Sequence, residues 1–184
     1  LQSTAALAAL PWLRVPDADA APADALPPTQ TGAQPWFRRT RRWMQTNIAE
    51  IDPRRYDISW WREEWRRTAT EGIIVNAGGI VAYYPTRVPY HRQAEFLDGR
   101  DLFGEIHEAA RADGIVVLAR MDSNGGNDAL LDAHPDWFTR NATGSTYPRE
   151  ATLHVPCLNG PYYREQIPAI LREIATRYRP DGFT

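Results

Sequence analysis

Three times in this chain an acidic residue and a glycine lead into an apolar run: Glu71-Gly72-Ile73-Ile74-Val75-Asn76, Asp113-Gly114-Ile115-Val116-Val117-Leu118-Ala119-Arg120, and Asp181-Gly182-Phe183-Thr184. A helix-like stretch precedes each, so the sequence repeats helix, glycine turn and buried parallel strand, the order of an α/β barrel. A closed barrel of eight such units needs roughly 250 residues. The chain has 184. The fold class expected is therefore α/β, the N-terminal half of a (β/α)8 TIM barrel, with the chain stopping as strand four opens.

Individual elements follow from local signals. Arg41 to Asn47 reads as a first strand with a polar exit at Asn47 and Glu50. Asp57 stands at an N-cap position ahead of Trp60, Trp61, Glu64 and Trp65, which gives a helix with one aromatic face; these tryptophans are expected to pack on the outer ring. The second strand, Ile73 to Asn76, runs into Ala77-Gly78-Gly79 and a long loop through Tyr83 and Tyr84 to about Gly99. Its helix extends from Asp101 to Ala112, stopped by Gly114. The third strand, Ile115 to Ala119, is continuously apolar, as expected where both faces are covered, and it empties into a loop of about forty residues. A third helix, Tyr162 to Tyr178, contains Pro168, which either kinks it or marks its true first turn.

Composition removes several function classes. With 21 basic and 23 acidic residues and a net charge of -2, the chain has no basic stripe of the kind that neutralises phosphates, so no nucleic-acid partner is expected. All of the basic residues are arginine, a coding bias without chemical weight. The single Cys157 excludes an intrachain disulfide and reads as a small buried hydrophobe. Residues 1–35 are rich in Ala and Pro: they read either as an export-signal remnant, with small-residue cleavage contexts around Ala18-Asp19-Ala20 and Ala21-Pro22-Ala23, or as a disordered linker. The first alternative implies a secreted or periplasmic protein. No other apolar run approaches the ~20 residues of a membrane helix, and residues 36–184 form the partial barrel.

In such a barrel, side chains at the carboxyl ends of strands converge on one mouth, while the opposite rim serves stability. That gathers Asn47, Glu50, Asn76, Arg120 and Asp122, with Tyr83, Tyr84, His91, His134, Trp137 and Asn159 added by the loops. Amides, carboxylates, an arginine and aromatic rings suit a polyhydroxylated ligand, hydroxyls pairing with the polar groups and rings covering a sugar's apolar face. The candidate substrate-binding residues are Asn47, Asn76, Arg120, Asp122, His134, Trp137 and Asn159. Blander readings stand beside these: Arg120 and Asp122 as a rim ion pair, Trp137 and Phe138 as core. Asp122, His134 and Asp136 lack the compact spacing of metal ligands, so no metal or other cofactor is expected.

Arg42-Trp43-Met44-Gln45, Gly78-Gly79-Ile80-Val81-Ala82-Tyr83-Tyr84-Pro85-Thr86, Gly99-Arg100-Asp101-Leu102-Phe103-Gly104, His134-Pro135-Asp136-Trp137-Phe138 and Cys157-Leu158-Asn159-Gly160-Pro161-Tyr162 carry a further signal. Together they resemble the amino-terminal part of a family of hypothetical glycosyl hydrolase barrels related to α-L-fucosidases. The resemblance covers about Arg41 to Thr184. It implies O-glycosyl hydrolysis of a carbohydrate substrate, fucosidase- or galactosidase-like, in a mostly exported bacterial family often joined to a β-galactosidase-type trimerisation domain, so that the full-length protein is expected to form a homo-oligomer, a trimer. In similar barrels the nucleophilic carboxylate lies at the end of strand four and the acid/base comes later in the chain. The catalytic residues are thus unknown here, and Glu50 and Asp122 are read as binding groups. A non-catalytic carbohydrate-binding barrel is the alternative.

Overall fold

A computed structural model of the chain describes residues 34–150 and 152–184. The expected leader or linker over residues 1–35 lies almost wholly outside them. Four parallel strands form the central sheet: β1 (Trp43–Thr46), β2 (Gly72–Gly79) and β3 (Val116–Asp122) are joined at the far edge by β7 (Gly182–Phe183), in the order β1-β2-β3-β7. The long connection after β3 carries the intervening strands, β4 (Gly126–Asn127), β5 (Pro148–Glu150) and β6 (Leu153–His154).

Among the described residues five α-helices accompany them: α1 (Trp36–Arg39), α2 (Ile58–Arg67), α3 (Leu102–Ala112), α4 (Asp128–Ala133) and α5 (Gln166–Arg177). Asp57 caps α2, its Oδ1 accepting from the backbone N–H of Ser59 at 2.9 Å and of Trp60 at 3.2 Å; Asp101 caps α3 through Gly104 N–H at 2.9 Å. Each such cap satisfies helix donors that would otherwise be orphaned, and its loss costs about 1 kcal/mol. Pro168 is the third residue of α5. Its missing N–H falls in the first turn, where no intrahelical acceptor exists, so the helix starts there rather than kinking.

The sheet's two faces differ. Ile73, Val75, Val117 and Ala119 are buried, together with Trp65, Leu102, Phe103, Ile106, Ile170 and Ile174 from the helices. Full burial of an aliphatic or aromatic side chain contributes about 1.5–3 kcal/mol, so this layer holds the fold. The alternate residues, Gln45, Ile74, Leu118 and Arg120, share the opposite face through the register Gln45↔Ile74↔Leu118 and Asn76↔Arg120. At its amino end Trp43 covers Gly72, where a Cβ would come within 2.5 Å of the indole, and Trp36 of α1 meets Trp43 edge-on at 6.1 Å.

Several sequence expectations need correction. Strand β2 continues through Ala77-Gly78-Gly79, expected as loop, because glycine allows the closest approach in the sheet. Gly79 has φ +106, and a Cβ there would lie 2.2 Å from the Asp122 carbonyl oxygen, so only glycine lets β2 and β3 stay paired to Asp122. Strand β3 likewise runs past Ala119 to Asp122. The forty-residue loop is not irregular throughout: β4, β6 and β5 form a small antiparallel sheet, with α4 beside it. Of the three tryptophans of α2, Trp65 is buried, Trp61 stacks on Tyr56 at 5.4 Å, and Trp60 is exposed. Cys157 is free and half-buried.

Candidate functional site

Arg120 and Asp122 alternate along β3, and so present both side chains to the same face at the strand's carboxyl end. On the adjacent β2, Asn76 is the register partner of Arg120, just before a bulge at Asn76/Gly78. Asn47 follows the last residue of β1. These four side chains form one connected chain. Arg120 donates through one guanidinium nitrogen to Asn47 Oδ1 and through the other reaches Asp122 Oδ1 at 3.0 Å. Asn76 Nδ2 donates to Asp122 Oδ2 at 2.8 Å. Gln45 Nε2 adds a bond to Asn47 Oδ1 at 2.9 Å.

The ion pair is real, as the blander reading held, but its exposure decides what it does. The side chains of Arg120 and Asp122 are 30% and 35% exposed, and half-exposed pairs contribute roughly 0–1 kcal/mol. Such a pair orients groups far more than it stabilises a fold. Asn76, by contrast, is buried. Its amide is fixed from both sides, Oδ1 lying 3.4 Å from the Ile48 N–H.

Glu50, next along the β1 exit, is held by both terminal nitrogens of Arg92 at 2.6 Å and by the Glu95 N–H at 2.8 Å. The hydrogen bond from Arg92 leads in holding its carboxyl below the usual range, against the opposing effect of burial. Tyr83 donates to the Ile48 carbonyl at 2.7 Å; burial, then the charges of Glu50, Asp122 and Asp52, push its phenol up to about 12. Tyr83 and Tyr84 are therefore buried supports, not the lining expected from sequence.

His91 is buried too, and joins a network that sequence reasoning missed. Gly79 N–H donates to its Nε2 at 3.2 Å, which leaves Nδ1 as the protonated nitrogen, 3.1 Å from Thr86 Oγ1. Thr86 Oγ1 and the Tyr84 hydroxyl donate to Glu173 Oε2 at 2.7 and 2.8 Å, and Arg87 N–H to Oε1 at 2.7 Å. Desolvation lowers His91 to about 4 despite the nearby Glu173 charge. Burial raises Glu173, but these donors outweigh it and the carboxyl is lowered. The network ties the exit of β2 to α5, across more than eighty residues of sequence, so no local signal could have found it.

The remaining sequence candidates separate. His134 and Trp137 stack on each other at 4.0 Å and 15°, within the connection that leaves β3. Trp137 is 7% exposed and Phe138 3%, Phe138 packing where a Gly126 side chain would stand. The ring that does reach the surface beside them is Tyr90, edge-on to His134 at 5.4 Å. Asn159 is exposed, and the bonds that join the four-residue rim network do not include it. Among the described residues no group of three or more His, Cys, Asp and Glu is arranged to hold a metal ion, Asp122, His134 and Asp136 included. Nor is any helix among them long and apolar enough to cross a membrane.

Residues 62–184 match the family model described as hypothetical glycosyl hydrolase 6. The chain belongs to that family. No curated protein matches it. Among solved structures it is similar to α-L-fucosidase isoenzyme 2 from Paenibacillus thiaminolyticus, at 23% identity and a TM-score of 0.59, over 77% of this chain and 22% of the fucosidase. It is similar also to a hypothetical protein from Ruminiclostridium thermocellum (11% identity, TM-score 0.56, 78% of this chain and 74% of that one). An α-amylase from Lactobacillus plantarum aligns at 13% identity and a TM-score of 0.53, over 80% of this chain and 38% of the amylase. At these identities the likeness establishes the fold, and the glycosyl hydrolase family's chain spans under two-fifths of the fucosidase and the amylase. The four parallel strands are thus part of a TIM-barrel domain of glycosyl hydrolase type.

Proposed function

We propose that this glycosyl hydrolase segment supplies the substrate-binding side of a barrel mouth that takes a carbohydrate, with Asn47, Asn76, Arg120 and Asp122 as its polar contacts. The observation that carries the reading is their connected network at the carboxyl ends of three adjacent strands, where barrel enzymes bind substrate, with Asn47, Arg120 and Asp122 reaching solvent and the buried Asn76 bonded to Asp122. An amide, a guanidinium and a carboxylate already oriented by one another offer donors and acceptors to hydroxyls without further ordering. His134, Trp137 and Asn159 belong to the surrounding loops in this reading.

Glycoside hydrolysis needs two carboxyl groups facing the scissile bond, about 5–5.5 Å apart for retention and further for inversion. Glu50 and Asp122, the carboxylates at the strand exits, are each engaged by arginine, which suits positioning better than attack. The catalytic pair is assigned to later strands of the intact barrel. The same pairing favours one second reading, a carbohydrate-binding barrel without turnover. The neighbours named as fucosidase and α-amylase motivate aryl α-L-fucosides and α-D-glucosides as first substrates, and the Ala-rich segment before the barrel motivates a search for the protein in the exported fraction.

The test is an assay of the intact protein against those substrates, with Arg120→Ala compared with Arg111→Ala at the Asp181 pair on the opposite rim. A hydrogen bond to a charged group, worth about 1.5–3 kcal/mol, corresponds to roughly ten- to hundredfold in affinity or turnover. Equal effects of the two substitutions would make Arg120 a structural residue. Binding without turnover selects the second reading.

A further inference from the structure

The loops that leave β1, β2 and β3 line an open cleft of about 620 Å³, built from residues other than the four of the rim network. Its size falls within the range of small-molecule sites, about 300–1,000 Å³. One wall is the Glu50–Arg92 pair, both partly exposed; another is the Asn127 and Asp128 start of α4; Tyr90 stands at its edge.

Tyr90 is the unusual member. The residue is 45% exposed, yet both its backbone and its ring are engaged. Its backbone is in the left-handed region at φ +60, a conformation costly for a non-glycine residue and one that concentrates at ligand-contacting positions. Its carbonyl accepts from Asn127 Nδ2 at 3.0 Å. Its ring meets His134 edge-on, and His134 in turn is stacked on the buried Trp137. A relay of three rings, rooted in the core, therefore holds an aromatic surface out into a cleft that also offers the polar groups of Glu50, Arg92, Asn127 and Asp128 beside the apolar Ala129 and Leu153. An apolar ring kept exposed and rigid loses little entropy when something covers it.

Resting on the carbohydrate reading above, we infer that this cleft is a second sugar subsite, with Tyr90 as its stacking platform and Arg92, Glu50 and Asn127 as hydroxyl partners, so that the substrate is an oligosaccharide rather than a single terminal sugar. His134 and Trp137 then act as positioning residues, through Tyr90. The arrangement also gives the His-Pro-Asp-Trp segment a role that burial of Trp137 denies it by direct contact.

The experiment measures binding of 2′-fucosyllactose, maltotriose, methyl α-L-fucoside and methyl α-D-glucoside to the intact protein by calorimetry, for the wild type, Tyr90→Gly and Tyr90→Phe. Glycine removes the ring while favouring the observed φ; phenylalanine keeps the ring. An aromatic contact of this kind corresponds to about three- to tenfold in affinity. Tyr90→Gly is expected to weaken an oligosaccharide by that factor and its matching methyl glycoside by less, with Tyr90→Phe close to wild type, at an unchanged melting temperature for Phe. Equal losses on the oligosaccharide and the monosaccharide, or no loss on either, overturn the second subsite while leaving the rim site standing. Binding of none of the four sugars overturns the carbohydrate reading itself, and this inference with it.

Discussion

Protonating His91 should destabilise the fold, and the size of the effect follows from its surroundings. The ring is 5% exposed, accepts from the Gly79 N–H and faces Thr86. Desolvation holds its pKa at about 4, against 6.5 for an ordinary histidine. Between those values the unfolded chain takes up a proton that the folded one refuses, so acid favours unfolding. The contribution of the neutral ring is complete above about pH 6.5, declines as pH falls through the interval, and is exhausted near pH 4. At about 1.36 kcal/mol per pH unit the full loss is about 3 kcal/mol. Glu173, whose pKa is also lowered, loses its own contribution as pH falls below the ordinary glutamate value, adding in the same direction. The assay is thermal unfolding of the intact protein from pH 7.5 to 4, wild type against His91→Gln, whose amide can accept from Gly79 and donate to Thr86 without titrating. The two stability profiles should converge as pH falls, and the His91 ring resonances should stay at their neutral positions down to about pH 5. Parallel profiles, or a ring that titrates near 6.5, would refute the buried-acceptor account of His91.

Other perturbations follow from the same geometry. Gly79→Ala drives a Cβ to within 2.2 Å of the Asp122 carbonyl at φ +106, and should cost at least about 3 kcal/mol by thermal unfolding. Gly99→Ala, with φ +76 but open space around it, should cost only about 1 kcal/mol. Asp57→Ala removes the two cap bonds of α2 and should lower stability by about 1 kcal/mol, measured in the same way. Expressed by itself, the 184-residue chain should sediment as aggregates or melt without a sharp urea transition, because among the described residues β1 and β7 are the edges of the sheet and Ile74 and Leu118 are incompletely covered; a monomer with one steep transition would argue otherwise.

What the sequence made legible was what depends on neighbouring residues. The glycine turns, the apolar runs of β2 and β3 and the cap at Asp57 are all local signals, and they point to the parallel arrangement; the capping role of Asp101 and the choice between kink and first turn at Pro168 came from the structure. Asn47, Asn76, Arg120 and Asp122 could be grouped because strand direction alone sends their positions to one edge. The rest depends on distant partners. Strands β4 and β6 have two residues each, too few for any alternation to register. The Gly78-Gly79 extension of β2 looks like a loop until Asp122 is seen against it. Tyr83, Tyr84 and His91 stand at loop positions that suggest lining, whereas the fold buries them and bonds the two tyrosines to Ile48 and Glu173, both far away in sequence. Tyr90 gave no signal at all, since its importance lies in a backbone angle and in the rings behind it.

The most direct measurement is a crystal structure of the intact protein soaked with a bound oligosaccharide. A sugar ring within hydrogen-bonding distance of Arg120, Asp122 or Asn76, with its neighbour extending toward Tyr90, is the result expected. A sugar bound instead beside the Gly72 and Gly114 turns at the amino ends of the strands, with the Asn47, Asn76, Arg120 and Asp122 network untouched, would contradict the account.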